Sequence, residues 1–168
     1  MSWFKISIAC LCLCLSACGF QSVYAVRDIA SLPGISIDID NIPDRDGQYL
    51  RNLLIDRLAA HGLPSDSVYE LKFQPLAESI VDIGIQKDAT ATRAQMQIVT
   101  QMQLIEKSTH KVLLQRDLKN VGAYNLLDNQ LATLVSQQTI TENILQELSD
   151  DVVTELSLYF RRKDIAGR

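Results

Sequence analysis

Residues 94–104 read Ala-Gln-Met-Gln-Ile-Val-Thr-Gln-Met-Gln-Leu, the clearest strand in the chain. Ala94, Met96, Ile98, Met102 and Leu104 fall on one face, and Gln95, Gln97, Gln101 and Gln103 on the other. Side chains alternate across a strand, so this spacing predicts one face in a core and one facing something polar. Downstream, Ser108-Thr109-His110 forms a tight connection to a last strand over 112–121, with Val112, Leu114 and Leu118 facing one way. Upstream, Tyr69, Leu71 and Phe73 alternate with Glu70 and Lys72, Pro75 interrupts or bends the run, and it resumes through Val81, Ile83 and Ile85. Residues 86–92 are polar and turn the chain. Such short links imply antiparallel pairing.

The flanks of this sheet are helical. Leu50, Leu53, Leu54 and Leu58 recur at helical spacing after a loop over 41–47, and Gly62 ends that helix. Before the loop, Ile35, Ile37 and Ile39 alternate with Ser36, Asp38 and Asp40, a first strand that follows the Pro33-Gly34 turn and leaves both acids solvated. From about Leu131 to Phe160 the period changes: Leu134, Ile144, Leu148, Val152, Leu156 and Tyr159 mark a long helix, with Thr139 or Thr141 capping its strongest part. Arg161-Arg162-Lys163 complements the negative end of its dipole. The predicted order is β-α-β-β-β-α, an α+β two-layer sandwich with two helices on one face of a four-stranded sheet. This domain spans 33–163, with a short tail over 164–168.

The amino terminus has a different character. Lys5 precedes an apolar run from Ile6 to Leu15, too short to span a bilayer, and Leu15-Ser16-Ala17-Cys18 closes it. This resembles a bacterial lipobox. The resemblance implies a signal peptide over 1–17, diacylglycerol on the Cys18 thiol, and a tether over 18–32. One acyl chain holds a protein only marginally, whereas two or three on Cys18 hold it almost permanently. Gly19 stands where Asp often marks inner-membrane retention, which favours the periplasmic leaflet of an outer membrane. Of four cysteines, three precede Cys18, so the mature chain has no internal disulfide to form. The net charge of −4 argues against a nonspecific nucleic-acid binder and against attachment to anionic lipid by overall charge.

Cys18-Gly19-Phe20-Gln21-Ser22-Val23-Tyr24 resembles the opening of the lipopolysaccharide-assembly lipoproteins of the LptE family, with Ser22 where that family often has Pro. The resemblance continues through Ile35-Ser36-Ile37, Tyr49-Leu50-Arg51-Asn52-Leu53-Leu54, Arg93-Ala94-Gln95-Met96 and the helix ending at Phe160. It implies a non-catalytic protein without cofactor that sits in the lumen of an LptD-type outer-membrane β-barrel. There it helps the barrel assemble, plugs it, and assists delivery of lipopolysaccharide to the surface. It also links the hairpin tip near Lys87 with lipopolysaccharide binding.

Candidate sites follow from side-chain chemistry. The row Gln95, Gln97, Gln101 and Gln103 offers donors and acceptors without charge, which suits a wet protein interface such as a barrel lumen; the plain alternative is a solvated sheet face. Lys87 and Arg93 flank the polar turn and are placed to bond lipopolysaccharide phosphates; the plain alternative is ordinary surface charge. Arg161-Arg162-Lys163 either meets anionic head groups or only ends a helix. Asp150 and Asp151 are adjacent on a helix and point apart, so they form no catalytic pair. His61 and His110 lie far apart, without metal-site spacing, and no glycine-flanked nucleophile turn is present. The second functional expectation is an accessory lipoprotein of a periplasmic phospholipid-transport system, and the third an envelope hydrolase.

Overall fold

The computed structural model describes residues 36–58, 66–85 and 91–166. The lipobox, the tether, Gly62, His61 and Lys87 therefore lie outside the described residues. In chain order the elements are β1 (Ile37–Ile39), α1 (Asp44–Leu58), β2 (Tyr69–Phe73), β3 (Ala77–Ile85), β4 (Ala91–Glu106), β5 (Lys111–Asn125) and α2 (Gln130–Ala166).

The glutamine-rich stretch lies inside β4, and β4 sets the sheet. One edge of it pairs along its whole length with β5, antiparallel. The other edge is shared: β2 pairs with residues 102–106 and β3 with residues 91–99, both antiparallel. Between these two segments stand Gln74, Pro75 and Leu76. Proline has no N–H for the ladder and is found at breaks and edges. The chain nonetheless holds its course, because the Gln74 amide donates to the Gln101 carbonyl (2.9 Å) and Thr100 Oγ1 donates to the Gln74 carbonyl (2.7 Å). The second predicted strand, over 69–85, is thus one lane split in two at Pro75, so four lanes hold five strands. The short β1 adds to the outer edge of β2 in parallel.

The alternation decides which face is covered. Ala94, Met96, Ile98, Met102 and Leu104 are buried, together with Leu114, Leu118 and Tyr124 of β5 and Leu71 of β2. Helix α2 packs along β5 and touches β4, while α1 packs on β1 and against α2. Leu50 and Leu54 of α1 join Ile144, Leu145, Leu148, Val152, Leu156 and Phe160 of α2 in one core. The helix comes so close to β5 at Gly122 that a Cβ there would lie 2.6 Å from Ile140 Cγ2. A missing side chain is what permits that approach.

Two local expectations are corrected. Helix α2 begins at Gln130, where Asn129 Oδ1 accepts from the amides of Leu131 (2.9 Å) and Ala132 (3.3 Å). Thr139 and Thr141 are interior and donate back to Val135 O and Gln137 O, one turn earlier. The start near Leu131 is legible in the sequence, but the expected cap falls a few turns too late, and Leu131, Leu134 and Val135 of the first turns are exposed. The second correction concerns Val112. A register shift pairs Leu104 with Leu114 but Ile105 with Val112, so Leu113 is an extra residue. The bulge turns Val112 onto the glutamine face, where it is 45% exposed, while Leu113 packs on the core.

Candidate partner interface

β4 carries its four glutamines on the face that neither helix covers, and the register of the neighbouring strands fills in the rest. Gln103 lies between Lys72 and Gln115, Val99 between Ala77 and Lys119, Gln97 between Ser79 and Val121, and Gln95 between Val81 and Ala123. Gln101 faces Asp117 on β5 and donates to its Oδ1 from Nε2 at 2.7 Å. Gln103 Nε2 is 3.4 Å from both Gln101 Oε1 and Gln115 Oε1. All four glutamines are half-buried by neighbours and partly open to solvent. The amides are therefore held in a loose lattice with donors and acceptors to spare. The face is not uniformly polar, because Val81 and Val121 are exposed on it.

Arg93 is exposed at the start of β4, with Ile83 and Asn125 as its strand neighbours. It borders a shallow groove with Tyr124, Thr139 and Ile140. Its separation from Lys87 falls outside the described residues.

The remaining charged candidates resolve into pairs. Asp150 forms an ion pair with Arg57, while Asp151 Oδ2 accepts from Asn120 Nδ2 at 3.1 Å, so the two acids do point apart. Asp38 is about half exposed but not merely solvated: Lys107 Nζ lies 2.8 Å from its Oδ2. Asp40 is 3.7 Å from Lys72 Nζ. Neither pairing was legible from sequence, because Asp40 meets Lys72 through the β1–β2 register and Asp38 meets Lys107 only through that register and β2–β4 together. Arg116 Nε donates to Glu155 Oε2 at 3.0 Å and ties β5 to α2. At the end of α2, Lys163 Nζ donates to the Tyr69 hydroxyl (3.1 Å), a bond that raises the lysine pKa above its ordinary value.

A second concave feature lies on the opposite face, over the part of β3 that the helices leave bare. This groove, of about 300 Å³, is bordered by Arg45, Asp46, Glu78, Leu134 and Glu142. Its rim is mainly acidic, which suits a cationic ligand better than a phosphate. Burial raises the Tyr124 pKa, assisted by the nearby charges of Asp82 and Glu78. Among the described residues no helix is long and apolar enough to cross a membrane.

A family model described as LptE, lipopolysaccharide-assembly, matches residues 32–156. An uncharacterized protein of Rickettsia prowazekii is 23% identical over 153 residues, covering 91% of this chain and 95% of that one. Among solved structures, rare lipoprotein B from Shewanella oneidensis superposes with a TM-score of 0.59 at 9% identity, covering 77% of this chain and 98% of the other. A minor lipoprotein from Acinetobacter baumannii gives 0.56 at 15% identity, with 74% and 91% covered. At such identities the structural likeness establishes a shared fold.

Proposed function

Because this chain belongs to the LptE lipopolysaccharide-assembly family, we propose that it is an outer-membrane lipoprotein that seats in an LptD-type β-barrel. There it helps the barrel assemble, plugs it, and assists lipopolysaccharide insertion at the cell surface. In this reading Cys18 carries the acyl chains in the periplasmic leaflet, and the sheet face opposite the helices meets the barrel wall. The observation that supports it best is that face itself. Its centre is the row Gln95, Gln97, Gln101 and Gln103, and nothing within the described residues covers it. A barrel lumen is lined by polar side chains and water. Neutral amides can bond to such a wall in many combinations without the desolvation cost of a charge.

Lys87 and Arg93 are assigned to the glycolipid. A guanidinium or an ammonium forms charge-assisted bonds to phosphate, and the acidic groove on the other face leaves the glycolipid no comparable partner there. The role is binding and assembly, in a family that is non-enzymatic.

A pull-down through a C-terminal tag in mild detergent tests the reading. Recovery of an outer-membrane barrel near one-to-one is expected. Recovery of transporter ATPase components without a barrel would contradict it and favour phospholipid transport. Replacing Lys87 and Arg93 together by Gln should weaken lipopolysaccharide binding while leaving barrel recovery unchanged. Unaltered glycolipid binding would overturn that assignment alone.

A further inference from the structure

We propose that the end of the molecule where the tether joins the body is a docking surface for anionic phospholipid head groups. The inference rests on reading Cys18 as the anchored residue, and three observations meet at this end.

The first is where the chain enters. Ser36, the first described residue, accepts from the Tyr69 amide through its carbonyl (3.1 Å) and donates to the Asp66 carbonyl through its hydroxyl (3.3 Å). The Tyr69 ring stands edge-on to Phe160 at 5.2 Å, and its hydroxyl accepts from Lys163. The chain between Cys18 and Ser36 therefore joins the body beside the last turns of α2. Fully extended it reaches about 60 Å, long enough for any orientation, so length alone does not set the pose.

The second is the surface of those turns. Leu158, Arg161, Arg162 and Ile165 recur at helical spacing and are exposed. Leu158 is 41% exposed and Ile165 76%. Val68, 47% exposed, lies at the same end, its carbonyl accepting from the Lys107 amide. Apolar side chains interleaved with arginines have the composition of an interfacial helix face. Complementing the helix dipole accounts for basic residues at this position, but not for bare Leu158 and Ile165 beside them.

The third is charge. At this end Lys107, Lys111, Arg161, Arg162 and Lys163 stand against Asp38, Asp66, Glu106 and Asp164, a small basic excess concentrated on the last turns of α2. The opposite half is acidic: Asp46, Glu78, Asp82, Asp128 and Glu142 outnumber Arg45 and Arg93. Along α2, Lys163 and Glu142 are about 30 Å apart at 1.5 Å per residue. That is several Debye lengths at physiological salt, so the acidic half does not cancel the attraction of the basic end to an anionic surface. Lys and Arg gain from an anionic bilayer only close to it, and the tether supplies that closeness. The anchored body thus stands on its basic end, with the acidic half held away from the membrane.

The test uses the mature lipoprotein, in which the lipid-blocked Cys18 leaves an introduced cysteine as the sole free thiol. Ile165→Cys is labelled with an NBD fluorophore and reconstituted in vesicles of phosphatidylethanolamine with a quarter phosphatidylglycerol, or of phosphatidylcholine alone. A blue shift and about a twofold brightening are expected in the anionic vesicles only, reversed by about 0.5 M NaCl and lost on replacing Arg161, Arg162 and Lys163 by Gln. A probe at Asp128→Cys is expected to read water in both. Equal spectra at residue 165 in the two vesicles, or spectra indifferent to the triple substitution, would overturn the proposal. A cluster that only ends the helix would lower the melting temperature of the triple variant and leave the probe unmoved. The intact mass of the same sample judges the anchor separately: acyl groups with an unmoved probe overturn the docking surface alone, whereas a chain without acyl groups, its Cys18 thiol taking a second label, contradicts the reading of Cys18 on which the proposal rests.

Discussion

A single hydrogen atom at Gly122 allows α2 to lie against β5. A Cβ there would also meet Ile144, 3.1 Å from its Cδ1, so a branched side chain forces the helix outward. Gly122→Val is expected to lower stability by about 1–3 kcal/mol, read as a lower urea midpoint. Ser149 has the opposite character. It is fully buried, and its hydroxyl has no hydrogen-bond partner among the described residues. Ser149→Ala removes an uncompensated polar group, and stability is expected to rise by about 1 kcal/mol in the same denaturation. Two raised pKa values make stability depend on pH in the alkaline range. Tyr124 is shifted above 10.0 by burial and then by Asp82 and Glu78, and Lys163 above 10.5 by its bond from the side chain to Tyr69. Each folded group holds its proton more tightly than the unfolded chain does. Their contribution is complete below the unfolded values and is lost as pH rises through the folded ones. Urea midpoints should therefore decline above about pH 10, and Tyr124→Phe should decline less.

At the scale of the element, Asn129 bears the start of the longest helix. Asn129→Ala leaves the first amides of α2 uncapped and is expected to cost about 0.5–2 kcal/mol, with faster amide hydrogen exchange confined to the first turns. The sequence also shows why that cap was hard to read. Burial period is visible only where burial occurs, and α2 presents Leu131, Leu134 and Val135 to solvent before Ile140 begins to pack. β4 was legible for the converse reason: its even positions from 94 to 104 are all buried and the odd positions between them half-open, an unbroken alternation. The split at Pro75 was legible from proline chemistry. The bulge at Leu113 was not, because Val112-Leu113-Leu114 is apolar throughout and carries no alternation to lose. Placement of the glutamine row was therefore readable from one strand. Its neighbours Asp117, Lys119 and Val121 were not, since they depend on a register that the bulge helps to set.

At the largest scale the described residues present three unlike surfaces: an amide-rich sheet face, an acidic groove on the helix side, and a basic end at the last turns of α2. Each suits a different environment, namely a polar barrel wall, a cationic ligand and an anionic bilayer. The central claim is that the sheet face and not the helix face meets the barrel. It is tested most directly by placing a photo-crosslinking amino acid at Gln97 or at Glu147 of the outer surface of α2, and irradiating living cells. A crosslink from position 97 to the outer-membrane barrel, at least about tenfold stronger than from position 147, is predicted, because only side chains on the buried interface lie within contact distance of the partner. Equal crosslinking from both positions, or crosslinking from position 147 alone, would contradict it.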